Sequence, residues 1–420
     1  MNSKKFLAFT MAAAMTLSLA ACGGGSNGGS SSNAGGSSAS GSAGDTSTGG
    51  VTAGTTVKEV VDPTGAAFKI GATGPLTGDA SIYGLAAYRG AQIAVNEINS
   101  EGGDIQFELN YQDDQNVPET AVNAFNNLKD WGMQISLGSV TTQPGIATSQ
   151  YNFEDRIFAL TPSASSPDVI ANKDNVFQMC FSDPNQGLAS AQYISEQNLG
   201  ENVYIIWKND DVYSTGIKDQ FVAEAEELGL NIVGNSTFTT DTSNDFTVQL
   251  TDAQQKGADL IFLPMYYQPA SLILTQADSM GYEPKFFGVD GMDGILTMEG
   301  FDASLAEGVM LLTPFNADAT DDATVAFVTE YESLYGETPN QFAADGYDCI
   351  YALKLALETA GCTPDMTAEA INDALIAAFP TITLTGLTGD GEGITWDSTG
   401  AVSKAPKGMV IGNGAYVGMD

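Results

Sequence analysis

The chain has 420 residues, and its 52 Asp and Glu outnumber its 15 Lys and Arg to give a formal charge of −37. Such an acidic surface repels nucleic acid and anionic lipid headgroups, which excludes a protein that binds phosphate backbones. The sequence contains no histidine, which excludes Ser-His-Asp and Cys-His catalysis and His-ligated zinc. Chemistry that uses carboxylates alone is not excluded, since 52 acidic residues offer many chance pairs. We expect no catalytic residues, no metal, no cofactor and no nucleic-acid partner.

The N-terminus has the pattern of an export signal. Lys4 and Lys5 precede an apolar run over residues 6–19, and Ala20-Ala21 stand directly before Cys22. The run is too short for a bilayer, which takes roughly 20 residues. The pattern resembles the bacterial lipoprotein signal, in which the cysteine is lipidated; the alternative is an ordinary secretory signal with an incidental cysteine. We predict a signal peptide over 1–21 and a flexible Gly/Ser-rich tether over 22–56.

The first half of the remaining chain alternates strands and helices. Strands are predicted over 68–72, 105–111, 134–138, 157–160 and 176–181. The first helix carries inward residues at Ala91, Ala94, Val95 and Ile98 and ends at Gly102-Gly103. The second has Pro118 in its first turn, and the third spans 146–153.

The alternation of strands and helices then begins again. Strands are predicted over 203–207, 231–238, 258–263, 285–289 and 409–411, and helices over 216–228, 246–256, 269–280, 324–334, 342–360 and 367–378. Alternation of this kind predicts parallel sheets covered by helices, and the restart predicts two lobes. Cys349 and Cys362 lie near opposite ends of one helix, too far apart for a disulfide, so we expect both, with Cys180, to be buried free thiols.

Open parallel sheets bind ligands beyond the carboxyl ends of their strands. In the first half, loop 71–78 is Gly-rich but lacks the G-x-G-x-x-G pattern, whereas loops 138–145 and 161–167 are rich in hydroxyls. Hydroxyls at helix N-termini suit a carboxylate, although ordinary N-capping explains them as well.

The loops of the second half offer different groups. They carry Asp210–Tyr213, Met265–Tyr267 and Asp290, that is, aromatic rings and carboxylates. Together the two halves suit a zwitterion with an apolar tail. The acidic stretches 290–294 and 390–393 lack the spacing of a calcium EF-hand and indicate turns.

The order of these motifs resembles that of the leucine/isoleucine/valine-type solute-binding proteins of ABC importers. The matching stretches are 70–78, 83–84, 89–91, 94–99, 102–103, 111–114, 161–165, 213–216, 287–291 and 346–348. The resemblance implies an α/β fold of the type I periplasmic binding protein class, with two Rossmann-like lobes joined by a three-segment hinge. We assign 66–182 plus 315–384 to lobe 1 and 183–314 plus 385–420 to lobe 2.

The resemblance also implies a set of ligand-binding residues. Thr141 or Thr142, together with Ser165, would hold the α-carboxylate of an amino acid. The carbonyl of Ser163 and the side chain of Asp290 would take the ammonium, although the branched-chain binders usually have the longer Glu at the position of Asp290. Three aromatic residues would surround the ligand side chain: Tyr83, Tyr213 and Tyr266.

The sequence therefore predicts a monomeric, lipid-anchored binding protein, not an enzyme, at the extracytoplasmic face of a cell of Gram-positive type. It would capture an amino acid of branched-chain or similar type and deliver it to an ABC permease and its ATPase subunits. Two alternatives keep the fold: a ligand that is an amide, urea or carboxylic acid, and a sensor that serves a surface receptor. An extracellular enzyme is a third alternative.

Overall fold

The computed structural model describes residues 57–389 and 391–419. The expected signal peptide, tether and lipidation site at Cys22 lie outside the described residues. Within the described part of the chain, no helix is long and apolar enough to cross a bilayer.

The first sheet contains five parallel strands in the order β2-β1-β3-β4-β5. The first part of the chain forms β1 (Phe68–Gly74), α1 (Ser81–Glu101), β2 (Phe107–Asp113), α2 (Pro118–Trp131), β3 (Ile135–Leu137), α3 (Thr142–Asp155), β4 (Ala159–Thr161) and β5 (Val176–Gln178). Apart from half-buried Lys69, every residue of β1 is buried, as is typical of a strand covered by helices on both faces. As predicted, α1 ends at Gly102, which adopts a left-handed φ of 67°.

The second sheet contains seven strands in the order β12-β11-β10-β9-β8-β6-β7. The chain reaches it through α4 (Asp183–Glu196) and continues with β6 (Val203–Lys208), α5 (Val212–Leu228), β7 (Ile232–Phe238), α6 (Thr247–Gln255), β8 (Leu260–Leu263), α7 (Tyr267–Ser279), β9 (Lys285–Gly288) and β10 (Met310–Thr313). The last part forms α8 (Asp322–Tyr335), α9 (Gln341–Ala360), α10 (Ala368–Ala378), β11 (Lys407–Gly412) and β12 (Ala415–Gly418). The strands β11 and β12 are antiparallel, and the others pair in parallel.

The chain passes between the two sheets three times. It leaves the first sheet after β5 and returns after β10, because apolar residues of α9 and α10 share one core with β1, β3 and β4. It joins the second sheet again at β11. The predicted fold class is therefore confirmed.

One expected boundary differs from the packing. Residues 385–402 were assigned to the second lobe, but Ile394 and Trp396 belong to the core of the first sheet. The indole Nε1 of Trp396 donates a hydrogen bond to the carbonyl of Gln178 at 2.7 Å, and Ile394 pairs with Leu384 in an isolated bridge. The third crossing therefore lies after Val402.

The three cysteines of the described chain are free and buried, as predicted. The helix α4 and the short strands β10 and β12 were not predicted. The expected helix and strand positions otherwise correspond to observed elements, with bounds that differ by a few residues.

Candidate functional site

The carboxyl ends of β6, β8 and β9 bring two tyrosines to Asp290. The carboxyl group of Asp290 is buried, and its Oδ1 accepts a hydrogen bond from the hydroxyl of Tyr213 at 2.5 Å. The amide of Gly291 donates to the same hydroxyl at 3.0 Å. The ring of Tyr266 packs against that of Tyr213, with centroids 4.8 Å apart. Asp290 is thus held in place by a neighbouring tyrosine rather than by a cation.

The main chain of Asp290 is also fixed on both sides. Its N–H donates to Oε1 of Gln186 at 3.1 Å, and its carbonyl accepts from Nε2 of Gln341 at 2.9 Å. Burial raises the pKa of Asp290 to about 6, while the hydrogen bond from Tyr213 and the nearby side-chain amide of Gln186 oppose this rise. At neutral pH the side chain is therefore an anion. No Lys or Arg of the described chain forms an ion pair with it.

Hydroxyl groups face the same region from the first sheet. Thr141 and Thr142 stand where α3 begins, and Ser165 follows β4. Their three hydroxyl oxygens are buried, and none has a hydrogen-bond partner among the described residues. The N-cap residue of α3, Thr141, makes no side-chain capping bond, so N-capping does not explain its hydroxyl. The side chain of Ser166, by contrast, does cap the short helix Pro167–Val169 that follows it.

Tyr83 links the two halves across the cleft. It lies on α1, and its hydroxyl donates to the carbonyl of Gly291, beyond β9, at 2.5 Å. The same hydroxyl accepts from the amide of Tyr267 at 3.1 Å. Its ring packs edge-on against Tyr266 at 5.3 Å and lies 4.5 Å from the ring of Phe342. The aromatic groups thus form one continuous wall.

These groups surround one small cavity. Seven of the eight residues predicted from the sequence line it: Tyr83, Thr141, Thr142, Ser163, Tyr213, Tyr266 and Asp290. The eighth, Ser165, does not line the cavity, and its carbonyl accepts a hydrogen bond from the amide of Asp183 at 3.0 Å. Their role in binding a ligand remains a prediction.

Three further residues line the cavity and were not predicted as site residues: Val140, Gly291 and Phe342. Asp183 and Gln186 do not line it; they lie on the first turns of α4, which was itself not predicted, and Gln186 contacts Asp290. Ser182-Asp183-Pro184 has the Ser, acidic residue and Pro that mark a helix N-terminus, and this signal would have placed the helix correctly.

Two α/β halves that enclose a cavity with hydroxyls on one side and a carboxylate on the other define a small-molecule binding protein of the cleft type. The chain belongs to the periplasmic binding protein family, whose model matches residues 67–404.

Similar proteins cover most of the chain. The Leu/Ile/Val-binding protein homolog 3 of Brucella melitensis is 26% identical over 351 residues, which span 82% of this chain and 92% of the relative. The leucine-binding protein LivK of Thermotoga maritima superposes with a TM-score of 0.74 at 26% identity, covering 84% of this chain and 98% of LivK. LivJ of Streptococcus pneumoniae, solved in complex with isoleucine, superposes with a TM-score of 0.75 at 27% identity, covering 83% of this chain and 97% of LivJ.

Proposed function

We propose that the protein binds a zwitterionic amino acid with an aliphatic side chain in this cavity. The observation that carries the proposal is the buried, ionised Asp290, which has no cationic partner among the described residues and lines the same cavity as the unpaired hydroxyls of Thr141 and Thr142. A ligand ammonium would neutralise Asp290, and a ligand carboxylate would accept from the hydroxyls. The aromatic wall would take the side chain.

The two lobes would act by closing around the ligand. Groups from both sheets contribute to the cavity, so the ligand stabilises the closed arrangement over the open one and shifts the population between them. No bond is made or broken. The likeness to LivJ, a branched-chain amino-acid transporter substrate-binding protein, supports delivery to an ABC importer. If the protein instead serves a surface receptor as a sensor, it would bind its ligand in the same cavity. Neighbouring genes that encode a permease and ATPases would support the importer over the receptor.

A carboxylic acid, amide or urea is the second candidate ligand class, since the hydroxyls of Thr141 and Thr142 would serve it equally well. It would leave Asp290 buried without a cation, which costs free energy. Matched compounds separate the two: L-leucine carries an ammonium, 2-hydroxy-4-methylpentanoate replaces it with a hydroxyl, and 4-methylpentanoate has neither.

A thermal-shift screen over the proteinogenic amino acids and these matched acids tests the proposal. A ligand at about 1,000 times its Kd stabilises the folded state by about 4 kcal/mol, enough for a clear rise in melting temperature. We expect at least one aliphatic amino acid to give this rise and both matched acids to give none. A rise with the acids alone would overturn the proposal.

The anchor is a separate proposal and rests on the sequence Leu19-Ala20-Ala21-Cys22. A lipid on Cys22 would hold the protein at the outer face of the membrane, and the tether would raise its local concentration near the transporter. Cells fed labelled palmitate should incorporate the label into the wild type and not into Cys22→Ser. Equal labelling of wild type and Cys22→Ser would contradict a lipid anchor at Cys22.

A further inference from the structure

The side chain of Asp183 is buried in an unusual state. It is fully inaccessible to solvent, and neither Oδ1 nor Oδ2 accepts a hydrogen bond of normal geometry from any described residue, although the Ser165 hydroxyl lies close enough to lower the pKa of this carboxyl. An acidic residue in the first turn of a helix normally accepts from the amides of that turn, and Asp183 does not. Its position is nevertheless fixed, because its own amide donates to the carbonyl of Ser165 at 3.0 Å.

The groups around Asp183 come from several elements, and none of them is a cation. The carboxyls of Asp290, beyond β9, Asp211, before α5, and Asp168, after β4, are near enough to influence it, as are the hydroxyl of Tyr266 and the thiol of Cys180. No ion pair of the described chain includes Asp183. The buried ammonium of Lys404 is used by Asp345, at 2.6 Å.

Gln186 joins α4 to Asp290, which lines the cavity. It lies one turn beyond Asp183 along α4, and its Oε1 accepts from the amide of Asp290 at 3.1 Å. Its Nε2 is buried and has no partner among the described residues. Asp183 and Gln186 thus both lie near Asp290, Asp183 also lies near the hydroxyl of Ser165, and several of their polar atoms have no partner among the described residues.

We propose that Asp183 is a second ammonium-binding carboxylate of the cleft, which holds the ligand's cationic group together with Asp290. This assignment rests on the proposed amino-acid function and specifies it further. A primary ammonium has three N–H donors, which match Asp183, Asp290 and the carbonyl of Ser163. The ligand class is therefore a primary α-amine, and N-methylated amino acids and betaines should bind poorly.

A proton leaves the protein when such a ligand binds. Burial raises the pKa of Asp183 well above its ordinary value; the Ser165 hydroxyl opposes this rise, and the charges of Asp290, Asp211 and Asp168 add to it. Burial therefore favours the protonated form of this carboxyl in the ligand-free protein. The arriving ammonium stabilises the carboxylate, so the O–H bond of Asp183 breaks and the proton passes to solvent.

Calorimetry with Asp183→Asn tests the assignment. The probes are L-isoleucine, N-methyl-L-isoleucine and 2-hydroxy-3-methylpentanoate. We expect wild type to prefer the primary amine, and the variant to bind L-isoleucine roughly tenfold or more weakly, because a charge-assisted hydrogen bond is lost. The control is Asp130→Asn, which removes the same charge from an exposed side chain of α2 and should bind like wild type.

A second measurement on the wild type does not depend on the variant's folding. Titrations at pH 7.5 in two buffers of different ionisation enthalpy report protons released, and Asp290, with a pKa of about 6, is already ionised there. We expect release by wild type and none by Asp183→Asn. Two results would overturn the role of Asp183 and leave the proposed function standing. One is that Asp183→Asn binds L-isoleucine as tightly as wild type, and the other is that wild type binds it without releasing protons. Wild type that binds no proteinogenic amino acid would overturn the proposed function and this assignment with it.

Discussion

Tyr213 controls the protonation of the carboxylate at the centre of the site. Its hydroxyl donates to Asp290 and lowers the pKa of that carboxyl against the effect of burial. Since only the ionised form attracts an ammonium, affinity for an amino acid should fall in wild type as the pH drops below about 6.

Tyr213→Phe should move this loss to a higher pH, because the pKa of Asp290 rises without the hydrogen bond. We expect affinity at pH 6.5 to fall roughly tenfold, and less at pH 8, where both proteins hold an ionised Asp290. Titration calorimetry across this range measures it. The control Tyr282→Phe removes a buried hydroxyl that donates to the carbonyl of Ala258 and should leave the profile unchanged. If the dependence of affinity on pH is the same in Tyr213→Phe as in wild type, the hydrogen bond from Tyr213 does not set the pKa of Asp290.

Lys404 and Asp345 form an ion pair at the third crossing between the sheets. Nζ of Lys404 lies 2.6 Å from Oδ1 of Asp345, and both side chains are 2% exposed. Lys404→Met leaves the carboxyl buried without its partner and should lower the free energy of unfolding by roughly 3 kcal/mol. Lys404→Met with Asp345→Asn should recover most of that loss in urea denaturation. A double variant as unstable as the single would show that the ion pair is not the cause.

The residues that line the cavity with their side chains were predictable where a motif follows a strand. Thr141, Thr142 and Asp290 each stand at the carboxyl end of a sheet, and the structure brings them to one cavity. Sequence alone left both capping and ligand binding open for Thr141 and by itself favoured capping, because a hydroxyl at a helix N-terminus serves both. The unused hydroxyl in the folded structure favours the second.

At the scale of elements, the close contact of α1 and α9 depends on two glycines. A Cβ at Gly90 would lie 1.8 Å from the carbonyl oxygen of Ala343, and one at Gly346 would lie 2.2 Å from that of Ala87. Each contact is with backbone, which has little freedom to move away. These two helices carry Tyr83 and Phe342 to the cavity, so their spacing fixes the aromatic wall.

Gly90→Ala should therefore destabilise the protein by about 2 kcal/mol or more, although alanine favours a helix by about 1 kcal/mol over glycine. Urea denaturation measures the change. Gly103→Ala is the matched control, since its Cβ would meet nothing within 4 Å and should be close to neutral. A gain in stability for Gly90→Ala would mean that the helices separate without cost.

Helices and strands were predictable when their own residues carried a periodic pattern and a clear end. α1 and α2 end at glycines with left-handed φ, and the sequence shows both stops. The strands β10 and β12 have four residues each, too few to show a periodic pattern, and each is defined by its pairing with β11. The placement of residues 385–402 was missed for the same reason, because Trp396 packs against a strand more than two hundred residues earlier.

For the whole molecule, buried carboxyls make the ligand-free protein more stable at mildly acidic pH. Burial raises the pKa of Asp114 and Asp345 to about 7 and that of Asp290 and Asp293 to about 6. In the unfolded chain these groups titrate near 3.9. Between these values the folded state binds more protons than the unfolded state, so stability falls as the pH rises through this window.

The melting temperature without ligand should thus be higher at pH 5.5 than at pH 7.5, by about 4 °C or more. Exposed carboxyls with lowered pKa, such as Asp245, lose their stabilising effect only near or below pH 4 and leave this comparison unaffected. Differential scanning fluorimetry over this range measures the trend. A melting temperature that rises steadily toward pH 7.5 would contradict the burial of these groups.

The central claim is that Asp290 binds the ammonium of an amino acid between the two lobes. Titration calorimetry of L-leucine, L-isoleucine and L-valine into wild type and Asp290→Asn tests it most directly, with thermal unfolding of the ligand-free variant to show that it folds. We expect wild type to bind at least one of the three with a Kd of about 1 μM or lower. Loss of a buried charge partner costs roughly 2–5 kcal/mol, so the variant should bind it at least about thirtyfold more weakly. Equal affinity in a folded Asp290→Asn would contradict the account.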